Sequence, residues 1–167
     1  MRGFATALAL SLLAACSGAR LEGGVYRAAG VAFRVGEVPA SWRALDVSGA
    51  RVAFRDDAAG ATTFVNARCG EPGDDAPLVA LTQHLFFLLT DRQVDEQGVV
   101  PFDGREALHT RMRARLDGVP KAYDVYVLKK DGCVYDLVQI AEPERAERAR
   151  PAFEAFARGF RALGDEK

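Results

Sequence analysis

The sequence predicts an α+β domain in which an antiparallel sheet is flanked by helices. Two groups of alternating apolar residues, spanning residues 31–69 and 106–140, carry the strand period of two. Each group is followed by a stretch with helical spacing, near residues 77–90 and after Pro143. Short turns, rather than crossover helices, join neighbouring strands within a group, which makes the pairing antiparallel.

Taken in order, Val31, Phe33 and Val35 fall on one side of an opening strand and Ala32 and Arg34 on the other. Residues 37–42, with Pro39 and Trp42, interrupt that alternation. Residues 51–56 and 61–69 form a hairpin across Asp57-Ala58-Ala59-Gly60. Residues 70–77 are a loop that also starts a helix, with Asp75 as cap and Pro77 in the first turn, expected to run to about Thr90. The second half reads as a three-strand meander. Residues 106–116 pair with 121–130 across Asp117-Gly118-Val119-Pro120, and the Asp131-Gly132 turn leads into 133–140. These turns place Arg113 opposite Asp124, Arg111 opposite Tyr126, Lys130 opposite Cys133 and Tyr126 opposite Leu137. A final helix opens at Pro143, is kinked or divided at Pro151, and buries Phe153, Phe156, Phe160 and Leu163.

The alternating opening strand, the Pro39 to Trp42 turn, the mid-chain helix, the meander and the Phe-striped terminal helix together resemble the PsbP-like fold. That fold, an αβα sandwich, occurs in the photosystem extrinsic subunit and in bacterial envelope lipoproteins of the DcrB and LpqN kind. The resemblance spans about residues 25–163 and implies a single domain over 25–167. It brings no catalytic motif, because its members are chiefly binding, assembly or chaperone modules, and fold by itself leaves the task open.

Composition excludes several classes. The 167 residues carry 22 basic against 23 acidic side chains, a net charge of −1, so no basic field points to nucleic acid. A chain that is 49% hydrophobic is also too apolar for a disordered tail. Residues 1–16 do carry an address: Arg2, an uncharged run to Ala15, then cysteine. The run is too short to span a bilayer and fits a secretory signal over residues 1–15. Leu13-Ala14-Ala15-Cys16 resembles the lipobox of bacterial lipoproteins, which implies an acylated Cys16; the alternative is ordinary cleavage nearby, with Cys16 lost or left free. Ser17, where some Gram-negative bacteria use aspartate as an inner-membrane retention signal, favours the outer membrane. Residues 17–24 then read as a flexible tether reaching at most about 28 Å. With Cys16 given to lipid, Cys69 and Cys133 remain in an oxidising compartment and are expected to be bonded, two buried free thiols being the alternative.

Catalytic chemistry is hard to find. There is no Gly-x-Ser-x-Gly elbow, no His-Glu-x-x-His, no Cys-x-x-Cys and no phosphate loop, so neither metal nor cofactor is expected and the chain reads as a non-enzyme. His84, beside Leu81, Leu85 and Leu88, reads as a boundary histidine before a general base, and His109 as a surface residue. Trp42 reads as a core plug, with ligand stacking second. Leu85-Phe86-Phe87-Leu88-Leu89 cannot face one sheet on a helix; the terminal Phe helix, a partner groove or lipid must cover the rest. In the meander, Leu108, Met112, Ala114, Val125, Val127, Val134, Val138 and Ile140 make an apolar face, while the opposite face mixes an arginine row with Tyr126. Arg111, Arg113 and Tyr126 are the candidate partner surface, against the alternative that the arginines pair with Asp124 and solvent while a helix covers the apolar part. The resulting expectation is a lipid-anchored envelope protein, attached to the membrane by acyl chains, that binds or assembles a protein partner. The rival is a carrier or sensor of a small apolar ligand in a sheet-helix cleft.

Overall fold

The computed structural model describes residues 20–28 and 30–164. The signal segment 1–15, Cys16 and residues 17–19 of the tether lie outside the described residues. The chain runs β1 (Arg20–Glu22), β2 (Val25–Ala28), β3 (Val31–Arg34), β4 (Arg43–Leu45), β5 (Val52–Asp56), β6 (Ala61–Cys69), α1 (Leu78–Leu85), β7 (Thr90–Phe102), β8 (Arg105–Leu116), β9 (Val119–Lys130), β10 (Cys133–Ala141), α2 (Ala146–Arg158) and β11 (Arg161–Leu163). All pairing among these strands is antiparallel, in a seven-stranded sheet ordered β4-β5-β6-β10-β9-β8-β7 and a four-stranded sheet ordered β1-β2-β3-β11.

Both faces of the large sheet are buried, by different partners. On one, Leu81 of α1 with Phe86 and Leu89 beyond it packs on Met112, Val125, Val127, Val134 and Val138. On the other, Phe153 and Phe156 of α2, Phe160, and Phe33 from the small sheet pack on Val65, Leu128, Tyr135 and Leu137. Trp42 is a core plug of this second layer: its ring tilts against Phe54 and Phe156, and its indole N–H donates to Asp56 Oδ2 at 3.1 Å. Cys69 and Cys133 are directly opposed in register on β6 and β10 and form a disulfide. Among the described residues no helix is long and apolar enough to cross a membrane.

Several expectations are corrected. Residues 20–22, placed in the flexible tether, form β1, which turns back onto β2 through Gly23 and Gly24, both at positive φ. Helix α1 stops at Leu85 rather than Thr90, because residues 86–88 turn the chain into β7. Asp75 does not cap it: Pro77 holds the cap position without a side-chain bond, and Lys129 Nζ donates to the Asp75 and Ala76 carbonyls at 2.9 Å each. The meander has four strands, since β7 precedes it.

Three Asp-Gly turns, Asp103-Gly104, Asp117-Gly118 and Asp131-Gly132, join β7 through β10, with both residues of each at positive φ as a two-residue hairpin turn of primed type requires. The loop between β8 and β9 is therefore two residues long, not four, and the register moves by two: Arg113 faces Ala122, Arg111 faces Asp124 and His109 faces Tyr126. A two-residue shift keeps every side chain on its face, so the face assignment survives the wrong register. The β9–β10 register, with Lys130 opposite Cys133 and Tyr126 opposite Leu137, is as expected. Helix α2 runs unbroken through Pro151 to Arg158, and Phe160 and Leu163 lie beyond it, Leu163 on β11.

Candidate functional site

Three places on the domain combine exposure or a cavity with unusual chemistry. The first is the row of arginines on β8. The bulged β7–β8 register sets Thr90 opposite Arg115, Gln93 opposite Arg113 and Glu96 opposite Arg111. Each arginine thereby meets an acid of β7: Arg115 lies 3.1 Å from Asp91, Arg113 donates two hydrogen bonds to Asp95 at 2.7 and 3.2 Å, and Arg111 pairs with Glu96. The hydrogen bond from Arg113, aided by its charge, holds the Asp95 carboxyl below the usual range. A cavity of about 350 Å³ lies beside the row, and there Arg111, Arg113 and Arg150 each face a carboxylate, so among the described residues it presents no free cation.

Tyr126 lies on the same face, diagonal to Arg111. It is half-buried beneath α2, stacked on His109 with ring centroids 4.1 Å apart and packed near Phe102 and Phe153. Burial first, then the charges of Asp124 and Glu154, pushes its hydroxyl up to about 12. His109, expected at the surface, is largely covered and bonds Asp124 Oδ1 at 2.7 Å through Nε2. Asp124, only 7% exposed, also approaches Arg150 of α2 at 3.8 Å and lies opposite Arg111, so it stands between α2 and the arginine row.

The second place is a cleft of about 600 Å³ between α1 and the β6–β10 part of the sheet. Asp136 on β10 lies opposite Asn66 on β6, and Val134 opposite Arg68, so Asn66, Arg68 and Asp136 project from one face to make the cleft floor. Asp136 is 2% exposed; its Oδ2 accepts from Arg68 Nη1 at 3.2 Å and from Asn66 Nδ2 at 3.5 Å. Arg68 Nε donates to Asp74 Oδ1 at 2.9 Å, while Asp74 Oδ2 accepts the Glu71 backbone N–H at 2.9 Å and shapes the loop above. Burial pushes the Asp136 carboxyl above its usual value even though Arg68 opposes the shift. Leu81 and Leu85 form the helical wall, and His84 stands exposed on the rim.

The third is the turn after α1. Phe86 and Leu89 are buried, but Phe87 and Leu88 are 80% and 76% exposed. The terminal Phe helix cannot cover them, since it packs on the opposite face of the sheet. They sit at the start of β7, whose residues 90–99 are all exposed along the outer edge of the large sheet. Among the described residues no group of three or more His, Cys, Asp or Glu side chains could hold a metal ion.

No protein-family model matches the chain, and no curated protein matches it by sequence. Solved structures do match. The solution structure of cyanobacterial PsbP (CyanoP) from Synechocystis superposes with a TM-score of 0.54 at 16% identity, covering 80% of this chain and 87% of that one. LpqN of Mycobacterium tuberculosis, described as involved in cell envelope biogenesis, gives 0.55 at 16% identity, covering 80% and 85%. The fold is PsbP-like. A Bacteroides thetaiotaomicron structure gives 0.56 at 14% identity, and there this chain spans about half of the other's length, 46%. At such identities the likeness carries the fold and transfers no residue role.

Within the PsbP-like domain, Arg111, Arg113 and Tyr126 share one face of β8 and β9, with Tyr126 diagonal to Arg111 and partly covered by Phe153 of α2. The cleft was missed, although the sequence holds its signal: the alternation Val134, Asp136, Val138 puts a carboxylate on an otherwise apolar strand face. Arg68 was unreadable as its partner, because β6 and β10 are far apart in sequence and meet only in the folded sheet.

Proposed function

We propose that this PsbP-like domain is a non-catalytic, lipid-anchored module of the bacterial cell envelope that binds or helps to assemble a protein partner, docked along β7. The observation that carries the docking reading is the bare Phe87–Leu88 pair at the head of an exposed edge strand. An aromatic and an aliphatic side chain beside a row of arginine–carboxylate pairs match the apolar centre and polar rim of protein interfaces. An exposed edge also offers unpaired backbone groups to a partner. The partner would supply an apolar pocket for Phe87 and Leu88 and charges that exchange with the ion pairs of Arg111 and Arg113. The Leu13-Ala14-Ala15-Cys16 sequence supports the anchor, and Ser17 supports the outer membrane.

The test is photocrosslinking in cells from a probe placed at Val99 on β7. One dominant adduct is expected, its yield falling about tenfold, the equivalent of ~1.4 kcal/mol, in Phe87→Ser/Leu88→Ser and in Arg111→Glu/Arg113→Glu. Melting temperature should stay nearly unchanged in Phe87→Ser/Leu88→Ser, whose side chains are exposed, and fall modestly in Arg111→Glu/Arg113→Glu, because Arg111 lies opposite the buried Asp124. In the same cells Cys16→Ala should lose acyl labelling and leave the membrane fraction. Undiminished adduct in both double variants overturns the docking surface, and retained labelling overturns the anchor.

A further inference from the structure

We infer that the cleft between α1 and the β6–β10 floor is a binding site for a small organic cation, an alkylammonium or alkylguanidinium headgroup held by Asp136 with its hydrocarbon body against Leu81 and Leu85. This goes beyond partner docking at β7 and uses none of the same residues.

Size comes first. About 600 Å³ falls within the range of small-molecule sites, which are typically apolar with a few convergent polar groups. Charge decides the ligand class. Arg68 is shared by two largely buried carboxylates, with Asp74 on Nε and Asp136 on Nη1, while a third, Glu71, lines the same cleft. One guanidinium stands between two carboxylates, so an ionised floor lacks a countercharge at a residue only 2% exposed, and burial accordingly raises the Asp136 carboxyl until a cation supplies it.

Geometry then supplies the open acceptor. Both side-chain hydrogen bonds of Asp136 arrive on Oδ2, and among the described residues nothing donates to Oδ1. A bound cation would complete that carboxylate without displacing Arg68, forming a charge-assisted hydrogen bond at the buried floor of an open cleft. Leu81 and Leu85 on the wall favour a ligand with a hydrocarbon body over a bare ammonium ion. An anion would meet three carboxylates. A purely apolar ligand would cover the ionised floor and leave Oδ1 desolvated and unpaired. The site therefore discriminates by charge at the floor and by hydrophobicity at the wall.

The test titrates the full chain with hexylammonium, hexanoate and hexanol and follows the Leu81 and Leu85 methyl and Asn66 side-chain amide signals by NMR. Hexylammonium should give saturable shifts at these three residues, with hexanol at least about tenfold weaker and hexanoate showing no saturation. Asp136→Asn should weaken hexylammonium about tenfold while the Arg68–Asp74 pair keeps the loop in place. Comparison of the three probes on the unaltered chain does not depend on any variant folding. Equal binding of hexanol, binding of hexanoate, no saturation by hexylammonium, shifts confined to Phe87 and Leu88, or an unaffected Asp136→Asn would each overturn the assignment.

Discussion

Tyr126 is legible in the sequence as an aromatic on a strand, but its environment belongs to the fold. Stacked on His109 and set beneath Phe153, its hydroxyl is pushed from 10.0 to about 12, by burial more than by Asp124 and Glu154. The protonated phenol is neutral and the folded chain keeps its proton to higher pH than the unfolded chain. The associated stability is therefore fully present below pH 10 and lost as pH rises towards about 12. Urea unfolding across that window should show the parent protein losing stability more steeply than Tyr126→Phe, and equal slopes would remove Tyr126 as the source. Asp136 teaches the complementary point. Its alternation with Val134 and Val138 announces a charge on an apolar face, whereas its raised carboxyl and its arginine partner follow only from the pairing of β6 with β10.

Elements were legible where local chemistry settles them. The Asp131-Gly132 turn, the β5–β6 hairpin and the start of the final helix near Pro143 are set by residues within a few positions of one another. Strand β7 was not, because an edge strand exposed over residues 90–99 needs no apolar alternation, and Gly98 and Pro101 argue against a strand on propensity. The docking of α2 depends on a pair of glycines that no local pattern reveals. Gly36 N–H donates to the Phe156 carbonyl at 2.8 Å, and a Cβ at Gly36 would overlap the Ala155 carbonyl oxygen, as one at Gly159 would overlap Gly36 itself. Backbone blocks the added atom at both positions, so neither side can yield by a rotamer change. Gly36→Ala should destabilise by about 3 kcal/mol, the upper end of the cost of overpacking, with urea unfolding as the measure. A loss under about 0.5 kcal/mol would show that α2 docks without this close approach.

At the scale of the molecule, the Cys69–Cys133 disulfide ties β6 to β10 across a separation of 64 residues. Closing a loop of that length stabilises by about 4 kcal/mol on the chain-entropy model, so Cys69→Ser/Cys133→Ser should lower the unfolding free energy by about 2–5 kcal/mol in a denaturant titration. A double variant as stable as the parent would place the stability in packing alone. By itself the sequence determined the α+β class, the identity of most strands, which residues of a strand share a face, and the expected pairing of Cys69 with Cys133. Those properties follow from side-chain periodicity and turn chemistry, which act over a few residues. Only the tertiary structure decided that β1, β2, β3 and β11 form a second sheet, joining the two ends of the described chain. It also decided that α1 and α2 lie on opposite faces of the large sheet, leaving Phe87 and Leu88 bare, and that Asp136 meets Arg68 at the floor of a cleft. The physical reason is the same in each case: these contacts join segments far apart along the chain, and hydrophobic burial, which drives their assembly, is proportional to area and carries no directional mark in the local sequence.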